Sequence, residues 1–334
     1  MFFFIQKYFS VGLSIVSVIQ QLRTQRKFLT SAIVPILIDA RHQNDGSLDD
    51  SDFRKVTHYY GWAVPAILGE AFCTLRGREM SVVERWASTC QGAMTGLFDD
   101  FFDKDYMADE FVMAKIDGDV SQPATQSNER LFNVFYGKVL SNVPDINRIK
   151  QALLAVHHAQ VASKQQVDPA LPPNKLWKIT EEKGGTSLLF YRAAFLPLAT
   201  DQEIALLYHL GATMQLANDI FDVYKDREKN IRTLVTETKK VDDLRTLLLQ
   251  RLNYVYAAAY LLPYPTKQVR HFLNNLSIGV FSRCFVCLDH LEKNEKYTNG
   301  LFDVKAYSRS QLVCDMDTKK NMLRSAAYHI KTIR

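Results

Sequence analysis

Apolar residues recur at three- and four-residue intervals along 147–165, 201–227, 239–261 and 267–294, without apolar–polar alternation. That spacing predicts amphipathic helices and no sheet. Proline and polar clusters mark the breaks between them: Asp117-Gly118-Asp119 through Asn128, Ser141-Asn142-Val143-Pro144, Asp168-Pro169 through Asn174, and Leu262-Pro263-Tyr264-Pro265. No internal repeat or low-complexity tract interrupts the pattern. A hydrophobic content of 47% with only 14 glycines in 334 residues suits long helices around an extensive core. The chain therefore reads as one all-α domain over 31–334, preceded by an apolar helical segment over 1–30.

That leading segment, Met1-Phe2-Phe3-Phe4-Ile5-Gln6-Lys7 followed by Tyr8 to Leu22, is too short and interrupted for a membrane span and lacks a small-residue cleavage site. A helix packed on the domain is expected, with peripheral membrane contact as the alternative and a cytoplasmic location. The net charge of +5 is small for this length, and no basic stripe is interleaved with stacking aromatics, so nucleic acid is not an expected partner. The basic residues near the C-terminus, Lys319, Lys320, Arg324, Lys331 and Arg334, read as solvated surface. Five cysteines, an odd number, give no disulfide framework and fit a reducing compartment. Cys284-x-x-Cys287 with His290 lies in a continuous helical pattern and reads as a packed helix face.

The chemistry concentrates in two acidic stretches inside apolar helices: Asp99-Asp100-Phe101-Phe102-Asp103, and Asn218-Asp219-Ile220-Phe221-Asp222-Val223-Tyr224-Lys225-Asp226. Carboxylates in such surroundings are costly unless cations offset them. The flanks, Gly96-Leu97-Phe98 on one side and Met214, Leu216, Ala217 on the other, would make a poor solvated face. Residues four apart share a helix face about 6 Å apart along the axis, so Asp99 points with Asp103, and Asn218 with Asp222 and Asp226. All are hard oxygen donors, which suits Mg²⁺ or Mn²⁺ and leaves open positions for phosphate oxygens.

Asp99-Asp100-x-x-Asp103 resembles the first aspartate-rich motif of class I isoprenoid synthases, the all-helical superfamily of trans-prenyltransferases and class I terpene synthases. Gly211-x-x-x-Gln215-x-x-Asn218-Asp219-x-x-Asp222 is similar to the second aspartate-rich motif of the prenyltransferases. Read against the terpene-synthase triad, Asn218 and Asp226 fit, Lys225 matches a frequent basic neighbour, and Asp222 replaces a hydroxyl ligand. Lys183-Gly184-Gly185-Thr186-Ser187 resembles the helix break by which prenyltransferases present a cation and loosened amides to a diphosphate.

The resemblance implies a helical bundle around a central cavity. It also implies three Mg²⁺ ions, replaceable by Mn²⁺, held by Asp99, Asp100, Asp103, Asn218, Asp219, Asp222 and Asp226. Lys183, Gly184, Arg192, Gln215 and Lys225 would contact the diphosphate of a prenyl substrate, with Asp99, Asp103, Lys183 and Arg192 as the catalytic set. Phe72, Phe98, Phe102, Tyr191 and Phe195 are the candidates to line the cavity, and a homodimer is the assembly the family admits. Neither the Gly-Gly-Lys-x-x-Arg segment nor the Arg-Arg-Gly segment by which elongating enzymes bind isopentenyl diphosphate occurs here, and Lys104-Asp105-Tyr106-Met107-Ala108-Asp109-Glu110 is acidic where they are basic. The expectation is thus a terpene synthase that ionises one allylic diphosphate and cyclises, rearranges or hydrates the cation. A trans-prenyltransferase is the runner-up, and a non-catalytic prenyl diphosphate-binding subunit is the alternative of another class.

Overall fold

The computed structural model describes residues 2–103, 107–118 and 124–332, without the side chains of 2–11, Leu13 and Asp103. The described chain is helical throughout, with turns and loops between the helices and no strand. No described helix is long and apolar enough to cross a membrane. The chain groups into two compact units, one formed by 1–15, 162–188 and 201–334, the other by 16–161 and 189–200.

In the unit formed by 16–161 and 189–200, the long Val82–Asp103 helix packs along Ser127–Leu140. Its Ala87, Cys90, Met94, Leu97 and Phe101 recur at three- and four-residue steps and are all buried. This is the stripe that a core-facing helix requires. Phe98 and Phe101 meet Phe132 with ring centroids 5.9 and 5.1 Å apart, so the aromatic content of the first acidic segment is spent on the core. Burying each such ring contributes roughly 1.5–3 kcal/mol. Two π-helical turns, Lys55–Tyr59 and Val64–Gly69, interrupt the helical run ahead of it. There a Cβ at Gly92 would come within 2.4 Å of Tyr60 O, so this glycine permits a close helix approach.

In the other unit, Asp201–Glu228 is the central helix, packed by Val241–Ala259 and by Ser282–Glu292, which itself packs on Lys319–Thr332. The continuous apolar pattern over 267–294 resolves into Thr266–Leu276, a π-helical turn Ser277–Phe281, and Ser282–Glu292.

Pro173–Arg192 is one unbroken helix. The expected break at Lys183–Ser187 is absent, and Thr186 Oγ1 donates to Glu182 O at 2.7 Å as a hydroxyl within a helix does. The glycines have a different purpose. A Cβ at Gly184 would lie 2.1 Å from Gly211 O, one at Gly211 would lie 2.2 Å from Gly184 O, and one at Gly185 would strike the Tyr208 ring at 2.5 Å. Gly184 and Gly211 thus let two antiparallel helix segments cross backbone to backbone.

Candidate functional site

The Gly184–Gly211 crossing sets the register of what lies along both helices. One turn before Gly184 is Thr180, and one and two turns after Gly211 are Gln215 and Asp219. Gln215 Nε2 donates to Asp219 Oδ1 at 2.8 Å, and Thr180 Oγ1 to Asp219 Oδ2 at 3.4 Å. Asp219 is buried. Burial pushes its carboxyl up to about 6, against the Gln215 hydrogen bond and the charge of Lys183.

Two turns further on, burial pushes Asp226 up to about 7, reinforced by the charges of Asp219 and Asp222 and opposed by Lys225 and Lys183. Lys225 lies 3.5 Å from Asp222 and is exposed. The acidic stripe therefore runs 219, 222, 226, continuing from Gln215, with the charge of Lys183 acting on it from the neighbouring helix. Asn218, four and eight residues before Asp222 and Asp226 on the same helix, is exposed, while Asp219 is turned inward. Thr180 was not anticipated: nothing in the sequence ties it to an aspartate 39 positions away until the helix crossing is known.

Three oxygen donors on one stripe, mutually repelling and only partly offset by two lysines, are chemically suited to a hard divalent cation. Among the described residues no group of three or more His, Cys, Asp or Glu is gathered closely enough to hold an ion alone. A magnesium ion carried by one or two carboxylates completes its shell with water and substrate oxygens, and that is the form of site these residues fit.

The first motif divides. Asp100 is buried and both its oxygens accept from Lys55 Nζ at 3.0 Å, while the same ammonium donates to Asp52 at 3.0 Å. Burial raises the Asp100 carboxyl, helped by a hydrogen bond shared with Asp52 and opposed by Lys55. Asp100 is thus held in an internal ion-paired cluster and is withdrawn from the expected ligand set. Asp99 is half-buried, with Gln160 Nε2 at 3.4 Å. It continues a polar stripe on which Gln91 Nε2 donates to Phe190 O at 2.7 Å and Thr95 Oγ1 lies 2.8 Å from the Tyr191 hydroxyl. Asp103 ends the helix, and its side chain, like Lys104, Asp105 and Tyr106, lies outside the described residues.

Arg192 departs from expectation. It is 2% exposed and its guanidinium donates to Phe195 O at 2.7 Å and Pro197 O at 2.5 Å, closing the turn that follows its helix. Such a buried arginine holds backbone together and is not disposed to receive a diphosphate. Gly184 is likewise helical backbone at a packing contact. The aromatic candidates are core residues: Phe72 packs edge-on to Phe195 at 5.4 Å, Phe98 to Phe102 at 5.4 Å, and Tyr191 is buried. The apolar N-terminal side chains expected to touch the domain or a membrane lie outside the described residues up to Val11.

Searches against protein families, curated proteins and solved structures find no match to this chain.

Proposed function

We propose that the chain is a Mg²⁺-dependent class I terpene synthase, acting on an allylic prenyl diphosphate. The observation that carries this reading is the Asp219–Asp222–Asp226 stripe beside Lys183, where carboxylates sit in partly apolar surroundings with too little protein charge to neutralise them. One or two carboxylates of the Asp219, Asp222 and Asp226 stripe would hold the ion, with water and substrate oxygens completing its shell. When bound, Mg²⁺ stabilises negative charge developing on a departing diphosphate. Lys183 and Lys225 lie beside the stripe as the cations for the remaining phosphate oxygens. Gln215 and Thr180 fix the orientation of Asp219, so their part is positioning.

The test is incubation of the purified chain with Mg²⁺ and geranyl, farnesyl or geranylgeranyl diphosphate, measuring diphosphate release and the organic products. Release that requires metal, gives hydrocarbon or alcohol, and disappears in Asp226→Ala supports the reading. Products formed only when isopentenyl diphosphate is added would replace it with a prenyltransferase. One observation favours a second reading: the Lys55–Asp100–Asp52 cluster takes a carboxylate out of the first motif, which suits a protein that binds prenyl diphosphate without turning it over. Metal-dependent binding with no release would select that alternative.

A further inference from the structure

From Leu244 to Leu288 the chain contains no aspartate or glutamate, while it carries Arg245, Arg251, Lys267, Arg270 and Arg283. Within this stretch the Val241–Ala259 helix ends and, after a proline-containing connection over 260–265, the Thr266–Leu276 helix begins. The first of these helices buries Leu244, Leu248, Leu252, Val255 and Ala259. Tyr254, Ala257 and Leu261 follow one another at three- and four-residue steps on its outer side and are exposed.

The connection is fixed in place. Leu261 N donates to Ala258 O at 3.1 Å, Leu262 N to Ala259 O at 3.2 Å and Tyr264 N to Leu262 O at 2.8 Å. The Tyr264 hydroxyl donates to Glu203, itself buried, at 3.2 Å. Leu262 is thereby taken into the core at 5% exposure, and its neighbour Leu261 is left 80% exposed, the most exposed large apolar side chain among the described residues. Tyr260, Pro263 and Pro265 beside it are exposed as well.

The cations that follow are uncompensated. Arg245 pairs with Asp289 and Glu292, and Arg251 lies over the Trp177 ring at 4.0 Å. Lys267 and Arg270, in the first two turns after the connection, are exposed and have no carboxylate partner among the described residues. Burial first, and then the charges of Lys267 and Arg270, lower the neighbouring His271 imidazole, as expected where like charges gather on one helix.

We propose that residues 254–271 form a peripheral membrane-docking surface for bilayers that contain anionic phospholipid. Leu261 enters the boundary between headgroups and acyl chains, Tyr254 and Tyr260 lie at headgroup level, and Lys267 and Arg270 meet lipid phosphates. A nucleic acid or an acidic protein surface would satisfy the cations and leave Leu261 in water, whereas an anionic bilayer takes both. No described helix is long and apolar enough to cross a membrane, so contact through this surface is peripheral. The surface is separate from the leading apolar segment, and the proposal is independent of the terpene-synthase reading.

The test is flotation of the purified full chain with vesicles of phosphatidylcholine alone, and with vesicles in which phosphatidylglycerol replaces part of it. The wild type should partition onto the phosphatidylglycerol vesicles, and more weakly onto phosphatidylcholine. Leu261→Ser should weaken that partition about tenfold, from lost apolar burial. Lys267→Gln combined with Arg270→Gln should weaken it about fivefold for each charge removed. Urea midpoints should not move, because all three side chains are exposed. Leu323→Ser, at a leucine 72% exposed on the Lys319–Thr332 helix, is the control and should bind as wild type does. Absence of partition onto either vesicle, wild-type partition by Leu261→Ser or by the double variant, an equal loss in Leu323→Ser, or capture of heparin without vesicle binding would overturn the proposal.

Discussion

Replacing Gly184 by alanine tests the helix crossing that builds the candidate site. The new Cβ would stand 2.1 Å from Gly211 O, 2.6 Å from Gly211 C and 2.7 Å from Gln215 Cβ. Restoring van der Waals contact needs roughly 1 Å of helix separation. Removing a glycine from a helix interior should by itself gain about 1 kcal/mol. Overpacking costs about 1–3 kcal/mol, and the upper end applies because the obstacle is backbone and cannot rotate away. The net expectation is a loss of about 2 kcal/mol. Gly137 is the internal control: it lies in the Ser127–Leu140 helix with nothing within 4 Å of an added Cβ, so Gly137→Ala should gain about 0.5–1 kcal/mol. Urea unfolding followed by far-UV circular dichroism reads both, the midpoints compared at equal slope. A Gly184→Ala midpoint at or above wild type would refute the close crossing, and with it the register that sets Lys183 beside the carboxylates.

Lys55→Met should destabilise the protein by about 3 kcal/mol, since it leaves two buried carboxyls without their shared cation, and adding Asp100→Asn should recover part of that loss; full Mg²⁺-dependent function in Asp100→Asn alone would agree with a structural role. Asp226 is raised in the folded state from 3.8 to about 7, so between those values the native state binds more protons than the unfolded one and stability falls as pH rises. Asp226→Asn should therefore be more stable than wild type at pH 8, on the order of 1 kcal/mol after solvent screening, and equal to it near pH 4; a constant difference across that range would contradict the shift. Lys183→Ala should weaken inhibition by inorganic diphosphate about tenfold, the worth of one charge-assisted contact, with an unchanged urea midpoint. Arg192→Met should do the reverse, costing about 1–3 kcal/mol by stranding the buried Phe195 carbonyl and removing the bond to Pro197 O while diphosphate affinity measured on the folded fraction stays the same.

The helices were legible because each carries its own apolar period: 201–227 became Asp201–Glu228, and 239–261 became Val241–Ala259. Breaks at Gly118, Ser141 and Asp168 were legible from turn chemistry. What failed was any inference needing a partner distant in sequence. Gly184-Gly185 looks like a break because each glycine costs a helix about 1 kcal/mol, and only the Gly211 and Tyr208 surfaces reveal why the helix continues. Asp100 looks like a ligand until Lys55, 45 residues earlier, is found on it. Arg192 looks like a surface cation until the turn at Phe195–Pro197 closes over its guanidinium. Local pattern thus identifies elements and titratable groups, whereas tertiary pairing decides which of those groups are already neutralised.

That distinction ranks the two acidic stretches, which look alike as strings. In the first, the buried carboxylate is compensated inside the protein: Lys55 spans Asp100 and Asp52, and its side chain is itself three-quarters buried. A cation arriving there would have to displace an ion pair already formed. In the second, Lys183 and Lys225 act on Asp219 and Asp226 through their charge, Asp219 accepts from neutral Gln215 and Thr180, and Asp222 lies 3.5 Å from the exposed Lys225. A divalent ion would therefore relieve repulsion while displacing neutral hydrogen bonds and a solvated lysine and leaving no buried ion pair broken. Charge left uncompensated by folding is available to a ligand. Magnesium should therefore stabilise the wild-type chain at pH 8 through the second stretch: Asp226→Asn should abolish most of the Mg²⁺-dependent shift in urea midpoint, and Asp100→Asn should retain it. If instead Asp100→Asn removes the shift and Asp226→Asn keeps it, the internal ion pair opens to admit the metal and the ranking is inverted.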